Sequence, residues 1–262
     1  MIHNKKMLSI CLIVLVLQSA AGCSGGMSGK PKSATYTPLP PTPIPDMEVL
    51  FLGERLMFFW YWPQTDYQKF SHAADADKYV SVEHIFPGGI DVNTENLGTF
   101  WENSAVHDLL EEGFDVIVIQ EAQERCYEEK DLFHEDLRKF HEKASSAGSE
   151  IVLFMNWPDE DRWEDLDEIV RSYEEISSVL DIKVAPVSLA WDKSLASHPE
   201  LDLFFDNGEL SSKYGDYLAM CVVYATITGK SPVGVSYTGF LTEEEAATLQ
   251  EIAWETVQEY QQ

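Results

Sequence analysis

The chain reads as an α/β protein: a three-layer α/β/α sandwich around a mainly parallel sheet of roughly five strands, flavodoxin-like in plan. Two observations predict it. Five short apolar runs, at 48–52, about 78–86, 115–120, 150–155 and 182–187, are nearly continuous rather than alternating. Continuous runs of that length suit strands buried on both faces, as in a parallel sheet. Between and after them lie segments of helical length, at 55–72, 100–112, 130–147, 163–180, 212–228 and 242–260. Strands alternating with helices are the signature of right-handed βαβ units.

The first of these strands sets the frame. Residues 48–56 run Glu-Val-Leu-Phe-Leu-Gly-Glu-Arg-Leu, an apolar strand that stops at Gly53 and turns into a polar pair. Such a strand-to-helix turn is where an open α/β sheet presents its first functional loop. The last helix also announces itself. Thr242 followed by Glu243, Glu244 and Glu245 puts a capping hydroxyl and three acids in a first turn, where the helix dipole favours them.

The rest divides into an export segment and a tether. Lys5 and Lys6 precede an apolar run from Met7 to Leu17, too short to remain as a transmembrane helix. Small residues, Ser19 to Gly22, then lead into Cys23. This resembles the bacterial lipobox, which implies a diacylated Cys23 and a mature chain held at the extracytoplasmic face of the cell membrane; an ordinary secretory signal is the other reading. Residues 24–46 are Gly/Ser-rich and then Pro-rich, holding six of the protein's 12 prolines. They form a tether, flexible first and stiffer later. Residues 47–262 form the globular domain.

Composition narrows the partners. The formal charge is −27 over 262 residues, and removing the leader with Lys5 and Lys6 takes it to −29. That surface repels nucleic acid. Cys126 and Cys221 either pair or stay as buried thiols, and no cysteine spacing suits zinc, so no metal or cofactor is expected. His134 and His141, seven apart, read as part of a solvated helix face, and His72, His84 and His107 are isolated.

Several turns, taken in order, resemble the SGNH (GDSL-type) hydrolases in their bacterial lipoprotein-like branch. The turn at Gly53 is similar to that family's "FLGNSLT" block. Gly88-Gly89 resembles the second block, where a glycine amide helps form an oxyanion hole, which implicates Gly89. The run from Asp115 through Gln120, Glu121, Ala122 and Gln123 resembles a "D-hydrophobic-LQE" block. Phe154 to Trp157, then Tyr217 to Gly234, continue the match.

The resemblance implies a Ser-His-Asp hydrolase, and the residues depart from it. Arg55 stands at the nucleophile position. Facing "DxxHPSxxGxYL", and anchored on Gly215 and Tyr217, Asn207 falls at the aspartate and Leu210 at the histidine; one residue of slack substitutes Asp206 and Glu209. An arginine is neither deprotonated nor acylated usefully, and losing triad members removes several orders of magnitude of rate. The expectation is a catalytically degenerate member that binds a glycan or another surface ligand. The alternative is an active esterase or acetyl-hydrolase on cell-wall or polysaccharide substrates, with a rearranged site in which His198 is a displaced base. Gly53, Glu54, Arg55, Gln120, Glu121, Gln123, Trp157 and Glu209 are expected to converge at the carboxyl ends of the strands, with Arg55 paired to Glu121 or Glu209 and Trp157 offered to ligand. Most of the aromatic run 58–62 should pack in the core. Oligomeric state is left open.

Overall fold

The structure, a computed structural model, describes residues 44–53, 57, 61, 63–85, 96–205 and 208–262. The leader, Cys23, most of the tether, Glu54, Arg55, Gly88, Gly89, Asp206, Asn207 and most of the aromatic run lie outside the described residues.

Five parallel strands form one sheet: β1 Met47–Leu52, β2 Val80–Ile85, β3 Val116–Gln120, β4 Glu150–Phe154 and β5 Lys183–Ala185. Their order across the sheet is β2-β1-β3-β4-β5. Helices cover both faces. After a π-helical turn at Pro63–Tyr67 come α1 Gln68–Ala74, α2 Leu97–Trp101, α3 Ser104–Glu112, α4 Arg125–Glu128 and α5 Lys130–Ala147. A 3₁₀ turn at Glu160–Asp165 leads into α6 Leu166–Leu180, followed by α7 Val187–Ser197, α8 Lys213–Thr228 and α9 Glu243–Tyr260.

Strand pleating explains the two cores. Successive side chains point to opposite faces, so Val49, Phe51, Val118 and Phe154 pack with α1, α7, α8 and α9, whereas Leu50, Leu52, Ile119 and Leu153 pack with α2, α3, α5 and α6. Both faces are apolar because both are covered. β2 is one of the two edge strands, and only Val82 in it is buried.

The strands and the long helices stand where the pattern puts them, with five differences. Of the segment expected to be helical over 55–72, the described part becomes helical only at Pro63, as a π-helical turn, and α1 then runs on to Ala74. The 100–112 segment is two helices, because Asn103 stops one and its side chain accepts from the Ala105 amide to start the next. The helix expected from 163 begins at Leu166 after its 3₁₀ turn. β5 ends at Ala185, before Pro186, and residues 187–197 form α7, a helix the pattern missed. His134 belongs to no solvated face: it is buried, with Nε2 2.9 Å from the Ser172 carbonyl oxygen, and burial holds its pKa down. Cys126 and Cys221 are free, buried thiols in the two separate cores on opposite faces of the sheet. Tyr61 packs in the core, as expected of the aromatic run.

Candidate functional site

β1 and β3 lie side by side, and the chain leaves them toward opposite faces of the sheet, as the helices that follow show. In open α/β sheets that switch point is where ligands bind, beyond the carboxyl ends of the strands. Here it is marked by Gly53, just past β1, and by Gln120, the last residue of β3. A Cβ at Gly53 would lie 2.6 Å from Met57 Cε and 2.8 Å from Gln120 Oε1. The missing side chain is what lets Gln120 close over the turn.

From Gln120 a chain of contacts crosses to β4 and beyond. Gln120 Nε2 donates to Asn156 Oδ1 at 2.7 Å, and Asn156 Nδ2 donates to the Glu121 carbonyl. Gln123 Nε2 donates to the Trp157 carbonyl at 2.7 Å, and Trp157 Nε1 donates to the Glu209 carbonyl at 3.3 Å. Gly53, Gln120, Glu121, Gln123, Trp157 and Glu209 therefore lie at the carboxyl edge of the sheet.

One of the expected roles does not hold. Trp157 is no ligand platform: it is fully buried and stacked on Trp191, rings 3.9 Å apart and 10° from parallel. The carboxylate of Glu121 is engaged by Arg125, one helical turn along, and accepts the amides of Leu97 at 3.1 Å and Ala122 at 2.7 Å. Arg125 in turn binds Asp136 at 2.6 Å and Glu129 at 3.2 Å, tying α4 to α5. Burial of the Glu121 carboxyl pushes its pKa up to about 7, against the pull of Arg125 and the two amides. Arg55, the partner expected for it, lies outside the described residues.

The opposite wall comes from the segment before α8. Leu210, at the position the resemblance gives to histidine, is buried among apolar residues of the α8 core. Beside it the Ser211 hydroxyl donates to the carboxylate of Asp216, and both residues are fully buried. Asp159, after β4, has its carboxyl held above the usual range, first by burial and then by the like charge of Glu209.

The histidines divide by position. α7 runs back from the carboxyl edge and over its 11 residues carries His198 roughly 16 Å away. There His198 Nδ1 lies 3.0 Å from Glu200 Oε1. His84, by contrast, is the penultimate residue of β2, near the carboxyl edge, and burial lowers its pKa so that it is neutral. Among the described residues no three His, Cys, Asp or Glu side chains are gathered to hold a metal.

Asn156, Asp159, His84 and the Ser211–Asp216 pair are site-edge residues that the sequence reading missed. Asn156 carried a signal, as the first polar residue at the end of an apolar strand. Asp216 carried one too, as an acid between Gly215 and Tyr217 in an apolar helix. His84 sits in a half-exposed edge strand where nothing in the pattern distinguishes it.

These features define a class: a three-layer α/β protein with an SGNH hydrolase-like fold, whose site lies at the carboxyl ends of β1 and β3. Solved structures carry the assignment. A DUF4886 family protein from Bacteroides uniformis superposes with a TM-score of 0.66 at 14% identity, over 82% of this chain and 96% of that one. A candidate SGNH hydrolase from Slackia heliotrinireducens gives 0.52 at 18% identity, over 69% and 98%. An acetyl xylan esterase gives 0.53 at 10% identity, over 69% and 100%. No protein-family model matches the chain, and no curated protein does.

Proposed function

We propose that this chain is an extracytoplasmic lipoprotein, anchored to the bacterial membrane through Cys23, whose SGNH-type domain binds a glycan or another surface ligand without hydrolysing it. The observation that supports it most is Leu210. An ester hydrolase of this fold needs an imidazole facing its nucleophile, and the position that the resemblance gives to it holds an apolar side chain packed into the core. Several polar groups at the strand ends engage one another, the Gln120 amide nitrogen with Asn156, Glu121 with Arg125 and Ser211 with Asp216, while Gln120 Oε1 is buried with no hydrogen-bond partner among the described residues.

His84 favours a second reading, an esterase or acetyl-hydrolase with a rearranged site, because it is neutral and near the right edge of the sheet. Turnover decides between them. The full-length protein, purified in detergent, is expected to hydrolyse neither p-nitrophenyl acetate nor acetylated xylan above the buffer rate. The triple variant Arg55→Ser, Asn207→Asp, Leu210→His, assayed beside it, tests whether the old geometry still supports chemistry. Wild-type turnover that His84→Ala or His198→Ala abolishes would establish the second reading.

A further inference from the structure

The connection between α8 and α9 runs back from the far end of α8, and only its last residues, next to the start of α9, reach the edge of the sheet where the site lies, since Tyr214 Oη at the start of α8 donates to Glu245 at the start of α9 at 2.7 Å. It has no regular secondary structure over 231–241, yet the interior pins it along its length. Gln250, buried on α9, accepts the Gly234 amide at 2.9 Å and donates to the Val235 carbonyl at 2.9 Å and to Tyr217 Oη at 2.8 Å. Tyr217 Oη donates to the Tyr237 carbonyl at 2.6 Å, and Tyr237 Oη to Asp66 at 2.6 Å. The Phe240 amide donates to Tyr61 Oη at 3.1 Å. An irregular loop held from inside at this many points is preorganised, and loops on a rigid scaffold are where binding groups concentrate.

What this loop presents is Phe240. Its ring is 62% exposed, the most exposed aromatic among the large hydrophobic side chains described. The ring does not swing freely. It packs on Tyr61 with centroids 5.3 Å apart. Gly239 precedes it at φ +59°, with its open side against the Tyr61 ring, where a Cβ would come within 2.3 Å. A left-handed glycine is thus placed so that an apolar ring can be held outward in one orientation.

We infer that the loop 231–241 is a contact surface for an uncharged glycan, with the Phe240 ring as the platform for a pyranose face. The inference deepens the binding function proposed above and rests on it. Charge selects the occupant. A surface at −27 disfavours anionic polymers, and the carboxylates near the loop, Asp66 and Glu245, are already engaged by Tyr237 and Tyr214, so the contact that the loop offers is an uncharged ring. An aromatic face with a few convergent polar groups suits such a ligand.

The test is a binding titration of the full-length protein in detergent against soluble xylan and hydroxyethyl cellulose, with polygalacturonate as the charged control. Phe240→Ala is expected to weaken neutral-glycan binding at least about fivefold, and Phe240→Trp to retain it. Because the ring is exposed, both variants should melt within about 2 °C of wild type. Wild-type binding that Phe240→Ala leaves unchanged overturns this surface while leaving the binding function standing. No neutral-glycan binding by the wild type overturns the inference and leaves the proposed binding function to a ligand other than a neutral glycan. A wild-type dimer in sedimentation that Phe240→Ala converts to monomer assigns the ring to a second copy of this chain and also overturns the inference.

Discussion

Gly53 has no side chain because two neighbours fill the space one would take, Met57 Cε and Gln120 Oε1. The Gln120 side chain is fully buried and already committed to Asn156, so it yields only by breaking that bond. Gly53→Ala is expected to cost about 1–3 kcal/mol through this crowding, seen as a lower midpoint in urea. An unchanged midpoint would mean that the turn is looser than described. Glu121 makes a second prediction. Its folded pKa is raised, so the stability it contributes is fully present below the unfolded value of 4.5 and is lost as pH rises through about 7. Between pH 5 and 8 the wild type therefore loses stability from this group, and Glu121→Gln should melt with a flatter dependence on pH over that window. An equal slope in both proteins would contradict it. The ion pair with Arg125 was not legible in advance because Glu121 lies before α4 rather than within it, so its spacing from Arg125 marked no helical pair.

Among the elements, those that were legible are the ones whose burial is simple. β3 and β4 have helices on both faces, so they read as unbroken apolar runs, and α5 and α6 have one wet face, so they read as periodic. α7 has neither property. Its start, Val187 to Trp191, extends the apolar run of β5 past Pro186, and Ser188, Ala190, Trp191 and Ser194 are all buried, so its pattern did not separate it from the strand. His134 was misread for a related reason: its spacing from His141 placed it on a face, and only the packing of α6 shows that this face is covered. α7 and α8 meet at one point that leaves no room. A Cβ at Gly215 would lie 2.4 Å from Trp191 Cζ2 and 2.6 Å from the Leu203 carbonyl oxygen. Trp191 is also the ring on which Trp157 stacks, so a shift there reaches the site. Gly215→Ala is expected to destabilise by about 2–3 kcal/mol and to change tryptophan fluorescence, whereas Gly148→Ala, with open space around it, should leave the fluorescence unchanged.

At the scale of the whole molecule, an SGNH hydrolase-like fold carries a buried leucine, Leu210, at the position that the resemblance gives to histidine. The fold was legible because it is carried by the order and spacing of strands and turns, which do not depend on the chemistry at their tips; the site was legible only as a location. Cys23→Ala is expected to move the protein from the membrane pellet to the soluble fraction after cell lysis, and retention in the pellet would contradict lipid anchoring. The central claim is the absence of an activated nucleophile. Intact-protein mass spectrometry after treatment with a reactive ethylphosphonate tests it most directly, because such a reagent phosphonylates an activated serine whatever the natural substrate. The account predicts no adduct on the wild type; a stoichiometric adduct on one side chain would contradict it.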